Sequence, residues 1–159
     1  MSIRRFALAV AALAAPLVLA TAPTHAQQKS VATTAIVEHP ALDAVRDGVR
    51  DELEAQGYVA GENLAFTYET AQGNPAIASQ IARQFAGQDH DVIVPISTPS
   101  AQAVLSATDD VPVVFSAVTD PVAARLVEDP ANPKGRVTGV SDLSPVKRQL
   151  ELIREVMPE

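Results

Sequence analysis

The chain has no cysteine among its 159 residues. That excludes a disulfide framework, a thiolate metal site, a thiol nucleophile and a lipid carried on cysteine. Histidine is nearly as scarce. None of His25, His39 and His90 stands at metal-ligand spacing from another His, Asp or Glu. No G-x-S-x-G elbow, P-loop or G-x-G-x-x-G occurs, so no cofactor is implied. There is no internal repeat and no low-complexity linker; Pro130-Ala-Asn-Pro133 is the one loop-like insert. Positive charge is also in short supply, with 12 Lys and Arg against 19 Asp and Glu. Such a surface repels phosphate backbones and anionic membrane faces, which argues against a nucleic-acid partner.

What is present begins with an export signal. Arg4 and Arg5 precede an apolar run from Phe6 to Ala20, interrupted by Pro16, and Thr24-His25-Ala26 offers small residues at the positions a signal peptidase reads. We expect a signal peptide over residues 1–26, cut after Ala26, and no stable membrane anchor afterwards. The alternative, an uncleaved anchor, is disfavoured because the run is short for a span. Removing Arg4 and Arg5 leaves 12 − 2 = 10 basic residues against 19 acidic ones, a charge of −9. Residues 27–159 suit one domain with a real core.

Apolar strands alternate with amphipathic stripes along that domain. Strands are expected at 33–37, 64–69, 92–96, 113–117 and 137–140. Between them, Leu42, Val45, Val49 and Leu53 recur at helical spacing, as do Ile77, Ile81 and Phe85. Ala101–Ala107 reads as a short helix, Pro121–Val127 as one or two helical turns, and Val146, Leu150 and Ile153 as a last amphipathic helix. The order implies an α/β fold, a doubly wound parallel five-stranded sheet with helices on both faces.

In such a sheet, ligands bind beyond the carboxyl ends of the strands, near the reversal of strand order. Each expected strand ends in hydrogen-bonding groups. They are Glu38 and His39, then Gln72 and Asn74, then Ser97, Thr98 and Ser100, then Thr119 and Asp120, then Ser141 and Asp142. Each also has a plainer reading. Asn74, Ser97 or Thr98, and Ser144 suit helix N-caps, with Pro75, Pro99 and Pro145 in the first turn. His39 suits a loop histidine satisfied locally, His90 a surface residue at the opposite edge, and Tyr68 and Phe115 the core. A cap and a site are compatible, because a helix N-terminus presents free N–H groups to a carboxylate.

Six segments in order resemble the ABC transporter substrate-binding proteins of the periplasm, in the group that includes tryptophan-type binders. They are Ile36-Val-Glu-His-Pro-Ala-Leu-Asp43, Gly57-Tyr-Val-Ala-Gly-Glu-Asn-Leu64, Asp91-Val-Ile-Val94, Val111-Pro-Val-Val-Phe115, Thr119-Asp-Pro-Val122 and Val137-Thr-Gly-Val-Ser-Asp142. Two departures accompany them. Ala124-Arg125 and Lys134-Gly-Arg136 stand where the family usually has a glycine-rich stretch, and the chain is long enough for the first of two lobes only.

The resemblance implies one lobe of a periplasmic-binding-protein type I fold, with the second lobe absent by truncation. It also implies a small-molecule solute such as an amino acid, a permease of an ABC importer as partner, and a periplasmic location. Ser97, Thr98 and Ser100 would line the cleft. Two other readings stand beside it: a small periplasmic hydrolase or isomerase using Asp120 or His39, and a ligand-sensing domain. The enzyme reading needs a nucleophile–base pair that the sequence does not display.

Overall fold

The computed structural model describes residues 28–157. The expected signal peptide and its cleavage site lie outside the described residues. From there the elements run β1 (Lys29–Ala35), α1 (Pro40–Ala55), β2 (Leu64–Thr70), α2 (Pro75–Ala86), β3 (Val92–Ile96), α3 (Thr98–Ala107), β4 (Val113–Val118), β5 (Val137–Ser141) and α4 (Val146–Val156). All four strand pairings are parallel, in the order β2-β1-β3-β4-β5. Strand order reverses between β1 and β3, so that junction is the switch point of the sheet.

Alternation along the strands feeds two faces. Val31, Leu64 and Val94 pack with Val49 and Leu53 of α1 on one face. Ala32, Ile93 and Val113 pack with Ile81, Ala82 and Phe85 of α2 and Val104 of α3 on the other. Phe85 is fully buried, which alone contributes about 2–3 kcal/mol of apolar transfer. A proline in an inner strand normally breaks a ladder. Pro95 is accommodated because the β3–β4 register pairs only Ile93 with Val113 and Ile96 with Ser116.

Several boundaries differ from the sequence reading. β1 spans Lys29–Ala35, not 33–37. Its start is fixed by polar contacts: Lys29 Nζ donates to Asp91 Oδ1 at 2.8 Å, and the Ser30 N–H donates to Asp91 Oδ2 at 2.8 Å. Val37 therefore falls beyond the strand and is 40% exposed. Residues 121–127 form turns and no helix. Leu126 N–H reaches back to the Pro121 carbonyl, and Arg125 takes φ 60°, which stops helical propagation. Ser144 does not cap α4; Pro145 holds that position without a side-chain bond. His90 is half-buried rather than on the surface, its ring edge-on to Phe85 at 5.4 Å.

Candidate functional site

Because all five strands run the same way, the residues that follow them share one edge of the sheet. Ile36–His39 and Ser97–Ser100 leave β1 and β3 at the switch point, where Ala35 pairs with Ile96. Gln72 and Asn74 follow β2 beside them, and the two loops are tied by Gly73 N–H donating to the Ile36 carbonyl at 2.6 Å. Thr119 and Asp120 follow β4. Ser141 ends β5, and Asp142 N–H continues the ladder to the Val118 carbonyl at 3.0 Å. Ser100 and Asp120 thus lie on the same edge.

The caps separate these residues into different kinds. Asn74 caps α2: its Oδ1 accepts from Ala76 N–H at 2.9 Å and Ile77 N–H at 3.5 Å. His39 caps α1, with Nδ1 accepting from Ala41 N–H at 3.2 Å, which is the local satisfaction expected of it. Asp120 Oδ1 accepts from Val122 N–H at 3.0 Å and Ala123 N–H at 2.9 Å. The two residues on which acid–base chemistry would rest are therefore both holding turns.

Ser97 behaves otherwise. It occupies the N-cap position of α3 but makes no side-chain cap bond, and its backbone sits at φ 89°, ψ 155°. That region is essentially reserved for glycine and costs about 1–3 kcal/mol. The strain is held by Ser97 N–H donating to the Ser116 carbonyl at 2.9 Å and Ala101 N–H donating to the Ser97 carbonyl at 3.0 Å. Its hydroxyl turns inward and donates to Ser100 Oγ at 3.3 Å, with both serines buried. The first turn of α3 is consequently left without a capping side chain, its N-terminal dipole facing the edge of the sheet. Gln72 at φ 52° and Ala117 at φ 52° are also strained, so the carboxyl ends of β2, β3 and β4 each carry a non-glycine residue of positive φ.

Sequence reasoning missed two participants. Val37, taken as part of β1, stands exposed next to Glu38 and His39 and gives the edge an apolar surface. Ser116 supplies the carbonyl that holds Ser97. The first had a signal, since an apolar residue just past a strand end is unusual; the second had none. Two hollows of 710 and 500 Å³ lie beside the β4–β5 connection and share Arg125 and Leu126. Neither is lined by the loops after β1 or β3.

Known proteins resemble this arrangement over most of the described chain. A tyrosine-binding protein of Clostridioides difficile (strain R20291) is 40% identical over 133 residues, 84% of this chain and 39% of that protein. The crystal structure of a conserved domain protein from Vibrio cholerae O1 biovar El Tor N16961 superposes with a TM-score of 0.80 at 59% identity, covering 83% of this chain and 45% of the other. An ABC domain from Streptococcus pneumonia in complex with L-Trp gives a TM-score of 0.75 at 36% identity, covering 80% and 43%. The chain spans less than half the length of each of these relatives. The family profile described as ABC transporter substrate binding protein matches residues 30–159, and with that match the chain belongs to the ABC transporter substrate-binding proteins.

Proposed function

We propose that the switch-point edge binds a free amino acid for an ABC importer. The observation that carries this reading is the uncapped N-terminus of α3 beside the buried Ser97–Ser100 hydroxyl pair. A helix N-terminus of this kind favours a carboxylate by about 0.3–1 kcal/mol, and up to roughly 2 when partly buried. Among the candidate residues, Glu38, Asp120 and Asp142 are acidic and none is Lys or Arg. That balance suits an ammonium group and disfavours a dicarboxylate or a phosphate. Val37 offers a surface for an apolar side chain. The relatives named for tyrosine binding and solved with L-Trp support an amino-acid ligand of that kind.

In this reading the described lobe forms one wall of a cleft, a second lobe forms the other, and closure between them retains the solute. The protein works in the periplasm after cleavage behind Ala26, and delivers its solute to the permease. Mass spectrometry of periplasmic protein should find Gln27 at the mature N-terminus; a retained Met1 would count against export by this signal.

The binding test is an NMR titration of residues 27–159 with a panel of free amino acids that includes L-tryptophan and L-tyrosine. With one wall only, we expect dissociation constants near millimolar, about −4 kcal/mol. Shifts should concentrate in the amides of residues 36–39 and 97–101. Saturable shifts confined to other parts of the lobe, or none with any amino acid, would sink the site.

A further inference from the structure

Among the described residues, four that are not glycine hold a positive φ. Gln72, Ser97 and Ala117 stand at the carboxyl ends of strands, while Arg125, at φ 60°, stands apart in the β4–β5 connection. Elsewhere the chain meets this conformation with glycine, at Gly57, Gly61, Gly73 and Gly135. A side chain there is held at a cost. The turn imposes it. Arg125 N–H donates to the Val122 carbonyl at 2.9 Å, Leu126 N–H donates to the Pro121 carbonyl at 2.8 Å, and Gln102 Nε2 donates to the Ala124 carbonyl at 3.3 Å. None of these bonds uses the arginine side chain, so glycine would serve the turn better.

The guanidinium is also free of partners. Lys29, Arg46, Arg50 and Arg136 are each paired with a carboxylate. Arg136 donates in addition to the Val111 carbonyl at 3.0 Å and to the Thr108 carbonyl. Among the described residues, Arg125 and Lys134 make no side-chain hydrogen bond or ion pair, although Glu128 and Asp129 line the same 710 Å³ hollow. Asp129 is turned to its own loop, its Oδ1 accepting from Ala131 N–H at 2.9 Å. Val122, Leu126 and Val127 give the hollow an apolar wall.

We propose that Arg125 and Lys134 make this hollow a binding site for a small organic carboxylate with an apolar body. Its volume falls within the range of about 300–1,000 Å³ common to small-molecule sites. A guanidinium offers two parallel N–H donors to one carboxylate, and an ammonium adds a further donor. Glu128 and Asp129 offset the two cations, so a multiply charged anion such as phosphate gains little by entering. Carboxylate binding would account for an arginine kept in a conformation that suits glycine. The site is separate from the switch-point edge and does not rest on the amino-acid reading.

The test is an NMR titration of the full chain with benzoate at constant ionic strength, with benzamide and inorganic phosphate as parallel arms. Benzoate should give saturable shifts in the amides of residues 122–134 at millimolar concentration, and the neutral amide and phosphate should give little. Arg125→Gly should weaken benzoate about ten-fold while raising the urea midpoint, because glycine relieves the backbone. Arg125→Lys keeps the charge without the fork and should weaken benzoate by about three-fold. Equal shifts with benzamide or phosphate would overturn the proposal, as would benzoate shifts confined to residues 97–101. Unchanged benzoate affinity in Arg125→Gly would overturn it too. A lower urea midpoint for that variant would make the arginine a structural residue and overturn it as well.

Discussion

Ser97 is held at φ 89°, ψ 155° by backbone bonds to Ser116 and Ala101, and its side chain gains only a 3.3 Å contact to Ser100. Two substitutions separate the backbone from the hydroxyl. Ser97→Ala and Ser97→Gly both remove the hydroxyl, but only glycine relieves the strain. Glycine gives back about 0.5–1 kcal/mol through the unfolded chain, against about 1–3 kcal/mol of strain released. Urea unfolding should therefore find Ser97→Gly more stable than Ser97→Ala by about 1 kcal/mol; the reverse order would mean that the serine is not strained. Tyr68 poses the opposite case. Its hydroxyl is buried without a partner, while Arg46 lies 4.8 Å over its ring. Phenylalanine keeps the cation–π contact and removes an unsatisfied group, so Tyr68→Phe should leave stability unchanged or raise it by up to about 1 kcal/mol. A clear loss would reveal an acceptor or a bound water at that hydroxyl.

At the scale of the element, the β4–β5 ladder depends on one glycine. A Cβ on Gly139 would lie 2.1 Å from the Phe115 carbonyl oxygen and 2.5 Å from its ring. Backbone and a fully packed ring cannot both give way, so Gly139→Ala should cost about 2–3 kcal/mol in urea unfolding. The opposite edge carries a pH response. His90 Nδ1 lies 2.7 Å from Ser30 Oγ and Nε2 lies 2.9 Å from Gln88 Oε1, at the start of β3. Burial pulls its pKa below 6.5, opposed more weakly by Asp89. The unfolded chain then takes up the proton more readily than the fold. Stability is full above about pH 6.5 and falls as pH drops through the lower folded value. His90→Gln should flatten the wild-type decline between about pH 7 and 5, and identical slopes would remove His90 as its source.

The same elements show how far the sequence could be read. α2 announces itself, because Ile81 and Phe85 repeat on the buried side and Asn74 caps it through its own side chain. The start of β1 does not, because Lys29 and Ser30 owe their place to Asp91, 61 residues away from Ser30. The candidate edge follows from strand order alone once the sheet is parallel. Which of its polar residues cap a helix and which do not depends on tertiary constraint: Asn74 and Ser97 look alike as caps, and only the Ser97 backbone is forced away from that role.

At the scale of the whole molecule, the strand made first is an inner one. β1 lies between β2 and β3, and each residue from Val31 to Ala35 has a partner on both sides. The helix α1 and the pair β1–β2 can form early, but the second edge of β1 waits for residues 92–96. Pairing across so much chain has a high entropic threshold, so refolding of residues 27–159 should be slower than for helical proteins of that size, in milliseconds to seconds. Stopped-flow refolding by circular dichroism would measure this, and a microsecond phase carrying the whole amplitude would contradict it. The order also matters during synthesis. A nascent chain that has not yet released Val92–Ile96 cannot close its own sheet, and during that interval it holds no more than a marginal β1–α1–β2 unit, loose enough to be pulled apart and passed end-on through a narrow channel.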